Sequence, residues 1–488
     1  MIKKKISGLL LFLAFSCGLS AQDQILSLPD CREKAIANNK TLRIATEQER
    51  VAYYEKKEAY LMYFPKVSLT AGYSHFSQDL HLISSSALSG IPTSITVPDL
   101  TQFGLPQLIP AGTEIPFSAG QTIKDELSKA TTIDLSNIWV GGVSLVQPLF
   151  AGGKIVAANQ IRAYALELAK SQADTKLVDV IVEVDQAYWQ VVSLSSKKAL
   201  AESYVALLSK IANDLDVMVK EGVATKADKL SVDVKLNEAE MALTKVNNGL
   251  SLSKMLLCQL CGIQISDQLK VADENIKDIL LDEAQTDMVN IDEVIENRPE
   301  VHSLILAEKI YKKKERVAFA EYLPTVGLTA GYAWTNPSAF DGLEYKFKGM
   351  WNVGVLATVP LNFFTSSAKY NAAKTETVIK QLELDEAKEK IRLQINQSTY
   401  KLAEAHKKLQ SSQKNIEKAN ENLRYANVGF EEGVVSPSDV LAAHTAWIQA
   451  HSDLIDAQIE LKLCRVYLDK AIGRNLANVN IHPSLGKK

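Results

Sequence analysis

Two hydrophobic periods run along this chain, one of two residues and one of seven, and between them they predict its elements. Val67, Leu69, Ala71 and Tyr73 alternate with Ser68, Thr70, Gly72 and Ser74. Val326, Leu328, Ala330, Tyr332 and Trp334 alternate with Thr325, Gly327, Thr329, Gly331 and Ala333, and Trp351, Val353, Val355, Ala357 and Val359 keep the same period. Successive side chains of a strand point to opposite faces, so each segment predicts a strand with one apolar, aromatic face and one small or polar face. Strands of about 9–11 residues with that pattern suit a transmembrane barrel, apolar toward lipid and polar toward the lumen. A soluble sandwich shows the same alternation but needs more than four strands. Four strands cannot close a barrel, so the pattern predicts a barrel shared among subunits.

The period of seven lies in long helical stretches. From about Ser366 to Phe430 there is no proline and one glycine, Gly429, which predicts a helix of roughly 100 Å at about 1.5 Å per residue. One seam reads Ile395, Leu402, Leu409, Ile416, Leu423 and Phe430, and its companion reads Ile391, Ser398, Ala405, Ser412, Ala419 and Ala426. An earlier stretch does the same through Leu177, Val184, Val191, Val205, Ala212 and Val219, beside Val180, Ala187, Leu194, Ala201, Leu208 and Leu215, with Lys198 the one break. Large residues on one seam and mostly small ones on the other permit close helix pairing in a coiled coil. Alone, the repeat fits a solitary coiled coil equally well.

The chain is also written twice. Tyr63-Phe64-Pro65-Lys66-Val67-Ser68-Leu69-Thr70-Ala71-Gly72-Tyr73 returns, at an offset of 259, as Tyr322-Leu323-Pro324-Thr325-Val326-Gly327-Leu328-Thr329-Ala330-Gly331-Tyr332, and Asn38 and Asn297 keep that offset. Trp139, Gly142, Val143 and Pro148-Leu149 return as Trp351, Gly354, Val355 and Pro360-Leu361 at 212. Glu221-Gly222-Val223 with Asp228 and Leu230 returns as Glu432-Gly433-Val434 with Asp439 and Leu441 at 211. The drop in offset falls on a Ser-, Gly- and Pro-rich stretch at 76–138, which reads as an enlarged loop in the first copy.

The division that follows is a leader at 1–21, a first repeat at 22–263, an acidic connector at 264–290, a second repeat at 291–473 and a tail at 474–488. The first repeat comprises a helix, two strands around the long loop, a long helix at 154–220 and a return helix at 226–262. Each return arm is about half as long as its long helix, so two short helices stacked end to end match one long one. The expected pairs are Lys226–Cys261 on Asp292–Tyr322, and the C-terminal helix from about Ser438 to Ile472 on the N-terminal one from about Pro29 to Tyr63.

Composition narrows the class. Aromatic residues are 7% and charged residues 23%, the usage of long helices. A formal charge of −3 gives no reason to expect nucleic acid, and a mean hydropathy of −0.04 is too polar for a polytopic helical membrane protein. Lys3, Lys4 and Lys5 precede an apolar run from Ile6 to Leu19, and Ser20-Ala21 supplies a cleavage site, so the start reads as a secretory leader. Lipoprotein processing at Cys17 is the variant, against which Ala14-Phe15-Ser16 is a poor lipobox. No later run of about 18–20 apolar residues predicts a transmembrane helix. Cys31, Cys258, Cys261 and Cys464 follow the leader. Cys258-Gln259-Leu260-Cys261 is a CxxC without a second pair or nearby His, read as small apolar packing on a helix, with a redox or metal role as the alternative.

No enzyme is legible. Gly152-Gly153-Lys154 lacks the spacing and the Ser/Thr of a P-loop. His444 and His451 stand seven apart without an acidic partner at metal spacing, and no nucleophile–base set is present. No cofactor and no metal are expected.

Across essentially the whole mature chain, the sequence resembles the TolC-like outer-membrane efflux proteins. The carrying features are the duplication, the helix from Leu28 to Asn39, Asn297-Arg298-Pro299-Glu300 at the start of the second copy, and Phe64-Pro65 and Leu323-Pro324 before each first strand. Leu145-Val146-Gln147-Pro148-Leu149-Phe150 followed by Gly152-Gly153-Lys154 completes them. The resemblance implies a mainly α fold with a small β part. A duplicated helical-hairpin α-barrel domain would carry four strands per subunit of a trimeric, twelve-stranded transmembrane β-barrel. It implies a homotrimer in outer-membrane lipid with a long periplasmic extension, meeting a periplasmic adaptor and an inner-membrane transporter. The function implied is the exit duct of a tripartite efflux or secretion system for small molecules, with a type I protein secretion duct or an exported structural coiled coil as alternatives.

The resemblance also assigns sites. Gly222, Val223, Gly433 and Val434 match the turn contacted by the adaptor, although the same residues read as plain hairpin turns, with glycine ending one helix and Thr225 or Ser436 capping the next. Asp228 and Asp439 match acidic residues near the constriction, where three copies of each would concentrate negative charge. A first-turn aspartate favoured by the helix dipole is the other reading. Phe430 is a further gate candidate; it and Val435 stand where some relatives carry polar closing partners. Tyr73, Trp139, Tyr332, Trp334 and Trp351 are the expected aromatic belt.

Overall fold

The structure is a computed structural model and describes residues 25–78, 80–98, 110–133, 136–274, 290–338 and 345–474. The leader with Cys17, residues 275–289 of the connector and the tail from 475 lie outside these residues.

In chain order the elements begin with β1 (Ile25–Leu26), α1 (Leu28–Asn38), α2 (Lys40–Leu61) and β2 (Lys66–Ser74). The long insertion carries β3 (Leu80–His81), α3 (Ser85–Leu88), β4 (Ser94–Thr96), β5 (Glu114–Pro116), α4 (Ser118–Thr131) and β6 (Thr132–Ile133). There follow β7 (Ile138–Ala151), α5 (Lys154–Lys220), α6 (Lys226–Leu260), β8 (Lys270–Val271), α7 (Ile291–Asn297) and α8 (Pro299–Phe319). The last are β9 (Thr325–Asn336), β10 (Lys348–Thr358), α9 (Phe363–Glu431) and α10 (Pro437–Ala471). The insertion is therefore more than a loop: the run Gln121–Lys129 lacks Gly and Pro and lies within α4, while its prolines fall mainly in the segments between.

The described residues divide into two compact units. One draws on Met1–Lys57, Gln160–Lys313 and Ala373–Lys488, the other on Glu58–Asn159 and Lys314–Ala372. No described helix is long and apolar enough to cross a membrane.

The helical unit is organised along α5 and α9, of 67 and 69 residues. On α9 the predicted seam positions Ile391, Ile395, Leu402, Ala405, Leu409, Ser412 and Ala426 are buried, while Leu393 and Tyr400 between them are exposed. Leu402, Ala405 and Leu409 pack against Ala457, Leu461 and Cys464 of α10. On α5, Leu177, Val180, Val184, Ala187 and Val191 share a core with Cys31 and Ala35 of α1, Leu42 of α2, and Leu250, Leu257 and Cys258 of α6. Charge fixes this middle stretch too. Arg32 clamps the fully buried Asp185 with two hydrogen bonds, and the Tyr188 hydroxyl donates to Asp273 at 2.6 Å. On its other flank α5 meets the second copy, through Ser171 donating to the Pro299 carbonyl at 2.7 Å and the Lys470–Asp179 ion pair at 2.7 Å.

The stacking of the short helices corrects the expectation above. The Asn39 amide at the start of α2 donates to the carbonyl of Leu260, the last residue of α6, at 2.9 Å. At the equivalent place in the second copy, Arg298 between α7 and α8 donates to the carbonyl of Ala471, the last residue of α10, at 3.0 Å. So α6 ends against α2 and α10 ends against α8, each pair within one copy. The physical reason is that the orphan carbonyls at a helix end need donors. Asn39 and Arg298 supply them from the break that precedes α2 and α8. The connector also contributes β8, which pairs in parallel with β1 through Ile25↔Lys270 and Leu26↔Val271.

In the other unit, β10, β9, β7 and β2 lie in that order in one sheet, antiparallel throughout. The register sets Tyr73 opposite Trp139, Val143 opposite Tyr332, and Tyr332 opposite Trp351. Val67, Leu69, Leu145, Leu328, Val353 and Val355 continue that same face, and Ser68, Thr70, Ser144, Thr329 and Asn352 occupy the other. The strand pattern legible in single segments is thus one coherent two-faced sheet.

Candidate functional site

Two features invite function, the hairpin turns of the helical unit and the bare face of the sheet. At the first turn Gly222 has φ +74° and at the second Gly433 has φ +73°, a conformation costly to any residue with a Cβ. The Val223 N–H returns to the Met218 carbonyl at 2.9 Å and the Gly222 N–H to Val219 at 3.2 Å; Val434 to Gly429 and Gly433 to Phe430 repeat the pattern at 2.9 and 3.0 Å. Both long helices therefore end in a Schellman motif.

The next helix starts at once. The Thr225 hydroxyl accepts from the Asp228 N–H at 3.2 Å, and the Asp228 carboxylate accepts from the Thr225 N–H at 3.0 Å, a reciprocal capping box. Ser436 accepts from the Asp439 N–H at 3.2 Å and donates to its carboxylate at 2.7 Å. Within one chain, then, both aspartates are tied to the N-cap residue of their helix, and Asp228 also closes a capping box. The hydrogen bonds from Thr225 hold the Asp228 carboxyl below its usual range.

Between the caps, Val223 and Val434 stand 72% and 80% exposed, an apolar pair that nothing in the hairpin requires. Phe430 is half-buried with Leu423 and Val435 against Ala426, Val440 and Ala443, so it belongs to the hairpin core. Two packing details escaped the sequence reading. Gly429 lies under the Val435 side chain, where a Cβ would come within 2.5 Å of Cγ2; the equivalent residues of the first copy are Met218 and Ala224, large and small exchanged. At the first hairpin, Asp216 of α5 bridges Lys220 at 2.7 Å and Lys229 of α6 at 2.5 Å. Those two hydrogen bonds pull its carboxyl down to about 2.

On the sheet, the five aromatic residues expected to form a belt, Tyr73, Trp139, Tyr332, Trp334 and Trp351, fall on one face and at one end. The Tyr73 and Trp139 ring centroids lie 4.6 Å apart, and Gly141 leaves room for the Trp334 ring. Leu69, Trp351, Val353 and Val355 on the same face are exposed in the chain, a contiguous apolar surface of the kind that water-soluble monomers rarely display. β2 and β10 are the two edges of the sheet, with backbone groups available to another strand. Among the described residues no group of three or more His, Cys, Asp or Glu is arranged to hold a metal ion.

The comparisons agree with this geometry. The sequence profile of a family described as outer membrane efflux protein matches residues 112–262 and 290–474. Among solved structures, the outer-membrane channel OprN is similar with a TM-score of 0.69 at 15% identity, over 92% of this chain and 90% of that one. The Campylobacter jejuni CmeC outer membrane channel gives 0.71 at 15% identity, over 91% and 85% of the two chains. The open state of the Neisseria gonorrhoeae MtrE outer membrane channel gives 0.67 at 16%, over 91% and 88%. At these identities the likeness is one of fold. No curated protein sequence matches the chain.

Proposed function

The chain belongs to the outer membrane efflux protein family, and from that membership we propose that three copies pool their strands into one twelve-stranded barrel, the outer-membrane exit of a tripartite pump. The family is one of channels, not of enzymes. The observation that carries the reading is the four-stranded sheet, with an apolar face, a polar face and two open edges. A membrane leaves no strand edge unpaired, so such a sheet enters lipid only when closed with others. Twelve strands leave a lumen wider than side chains fill. The helical unit would extend into the periplasm as a tunnel.

The hairpin turns are the natural docking points of a periplasmic adaptor, which would join the duct to an inner-membrane transporter. Exposed Val223 and Val434 on two turns of matching geometry offer repeated apolar contacts, whose burial against a partner would favour association. Asp228 and Asp439, six acidic groups in a trimer, would favour cations at the constriction in addition to bonding with the caps Thr225 and Ser436. Small molecules are the proposed cargo.

The test is export. Cells lacking the protein should accumulate a fluorescent efflux substrate, and the wild-type gene should restore its removal. Val223→Asp with Val434→Asp should reach the outer membrane intact and fail to restore it, with loss of photocross-linking from the turns to a periplasmic protein. Full restoration by that double variant would contradict docking at the turns.

A further inference from the structure

Three of the cysteines that follow the leader meet at one point. Cys31 on α1, Cys258 on α6 and Cys261 at the end of α6 are all buried in the same core. The Cys261 thiol donates to the Cys31 carbonyl, 3.6 Å away, and the two thiols are near enough to shift each other, Cys31 upward and Cys261 downward. Cys258 turns elsewhere and donates to the Ser266 carbonyl at 3.4 Å. The trio is not a metal site, and packing alone does not require two cysteines at one point across 230 residues of sequence.

We propose that Cys31 and Cys261 form a disulfide in the exported protein, stapling the N-terminal helix to the end of α6. The inference rests on the outer-membrane reading above, because disulfides persist in the periplasm and not in the cytosol. Either sulfur can open the exchange with the same product; in one order the first nucleophile is Cys261. Its thiolate attacks the disulfide of a periplasmic dithiol–disulfide exchange protein; that S–S bond breaks, a mixed disulfide forms and one donor thiolate leaves. The Cys31 thiolate then attacks the Cys261 sulfur and expels the second donor thiolate. The donor gains two electrons and, with the two protons, becomes a dithiol. Both cysteines are fully buried once folded, so exchange precedes the docking of α1.

The staple joins the same junction that Asn39 ties to Leu260. It fixes this end of α6 and leaves the Thr225 end, at the proposed docking turn, free of covalent restraint. Closing so long a loop constrains the unfolded chain more than a short bridge does.

The experiment is acid quenching of outer-membrane fractions, alkylation with N-ethylmaleimide under denaturing conditions without reductant, and peptide mapping. The expected map shows the Cys31 and Cys261 peptides linked and Cys258 and Cys464 alkylated, with a thermal midpoint that falls by about 5 °C on reduction. Cys258→Ala should keep the link, and Cys31→Ala should leave Cys261 alkylated. Alkylated Cys31 in wild-type protein from the outer membrane, or a link between Cys258 and Cys261, overturns the proposal. Should the protein fractionate with the cytosol, the location reading fails instead. Purified protein refolded with oxidised glutathione then decides the pairing by the same map.

Discussion

Arg298 reaches across the break between α7 and α8 to hold the carbonyl of Ala471, at 3.0 Å. It also holds Glu300 at 2.6 Å and Gln394 at 3.3 Å, while itself almost wholly buried. One side chain thus satisfies the end of α10, pairs a carboxylate and touches the long helix α9. Arg298→Ala strands a carboxylate and a carbonyl, and the expected loss is about 3 kcal/mol in denaturant unfolding. Arg298→Lys keeps the charge without the planar fork and should recover only part of it. An unchanged midpoint in Arg298→Ala would contradict the tethering role.

The exchange of large and small residues at the two turns gives a second test. Gly429→Ala forces the Val435 side chain aside and should cost about 1–3 kcal/mol. Val435→Ala in the same chain makes the second turn like the first, where Ala224 takes that place, and should recover most of the loss. Thermal unfolding of the two single variants and the double variant measures the coupling. Additive losses would mean the two residues do not share the space described.

Acid should loosen the first hairpin before the second. Asp216 is pulled down from 3.8 to about 2 by Lys220 and Lys229. A depressed carboxyl stabilises the folded state above its unfolded value and loses that contribution as pH falls from about 4 toward 2. The second copy has Asn427, Glu431 and Val440 at the three places and no such cluster. Protection from hydrogen exchange, taken relative to the intrinsic amide rate at each pH, should therefore fall from pH 7 to pH 3 more along α5–α6 than along α9–α10, and Asp216→Asn should remove the difference. Equal responses of both hairpins would refute it.

The two faces of the sheet should respond oppositely to charge. Val353→Arg places a cation on the apolar face, at a cost of about 2–4 kcal/mol near the bilayer midplane. Its neighbour Asn352 lies on the other face, where Asn352→Arg is expected to be tolerated. Heat-modifiable oligomer recovered from outer membranes is the readout; equal yields from both variants would mean that the apolar face does not meet lipid.

Much of this was legible in the chain. Alternation at Val67–Tyr73 and Val326–Trp334 gave both the strands and the face each residue would occupy, because strand period is fixed by backbone geometry. The heptads gave the buried seams of α5 and α9. Thr225 and Ser436, each three residues before an aspartate, carried the caps in plain form. The end-to-end partners of α6 and α10 were not legible: matching lengths allow two solutions, and the choice rests on hydrogen bonds from Asn39 and Arg298 to carbonyls more than 150 residues away in sequence. For the same reason the CxxC was visible, but the approach of Cys31 to it was not.

The most direct measurement is oligomeric mass and conductance on the same sample, protein extracted in detergent from outer membranes and inserted into a planar bilayer. The expected result is a heat-sensitive trimer with a small, gated conductance that changes when Asp228 and Asp439 become Asn. A water-soluble monomer without conductance would contradict the shared barrel.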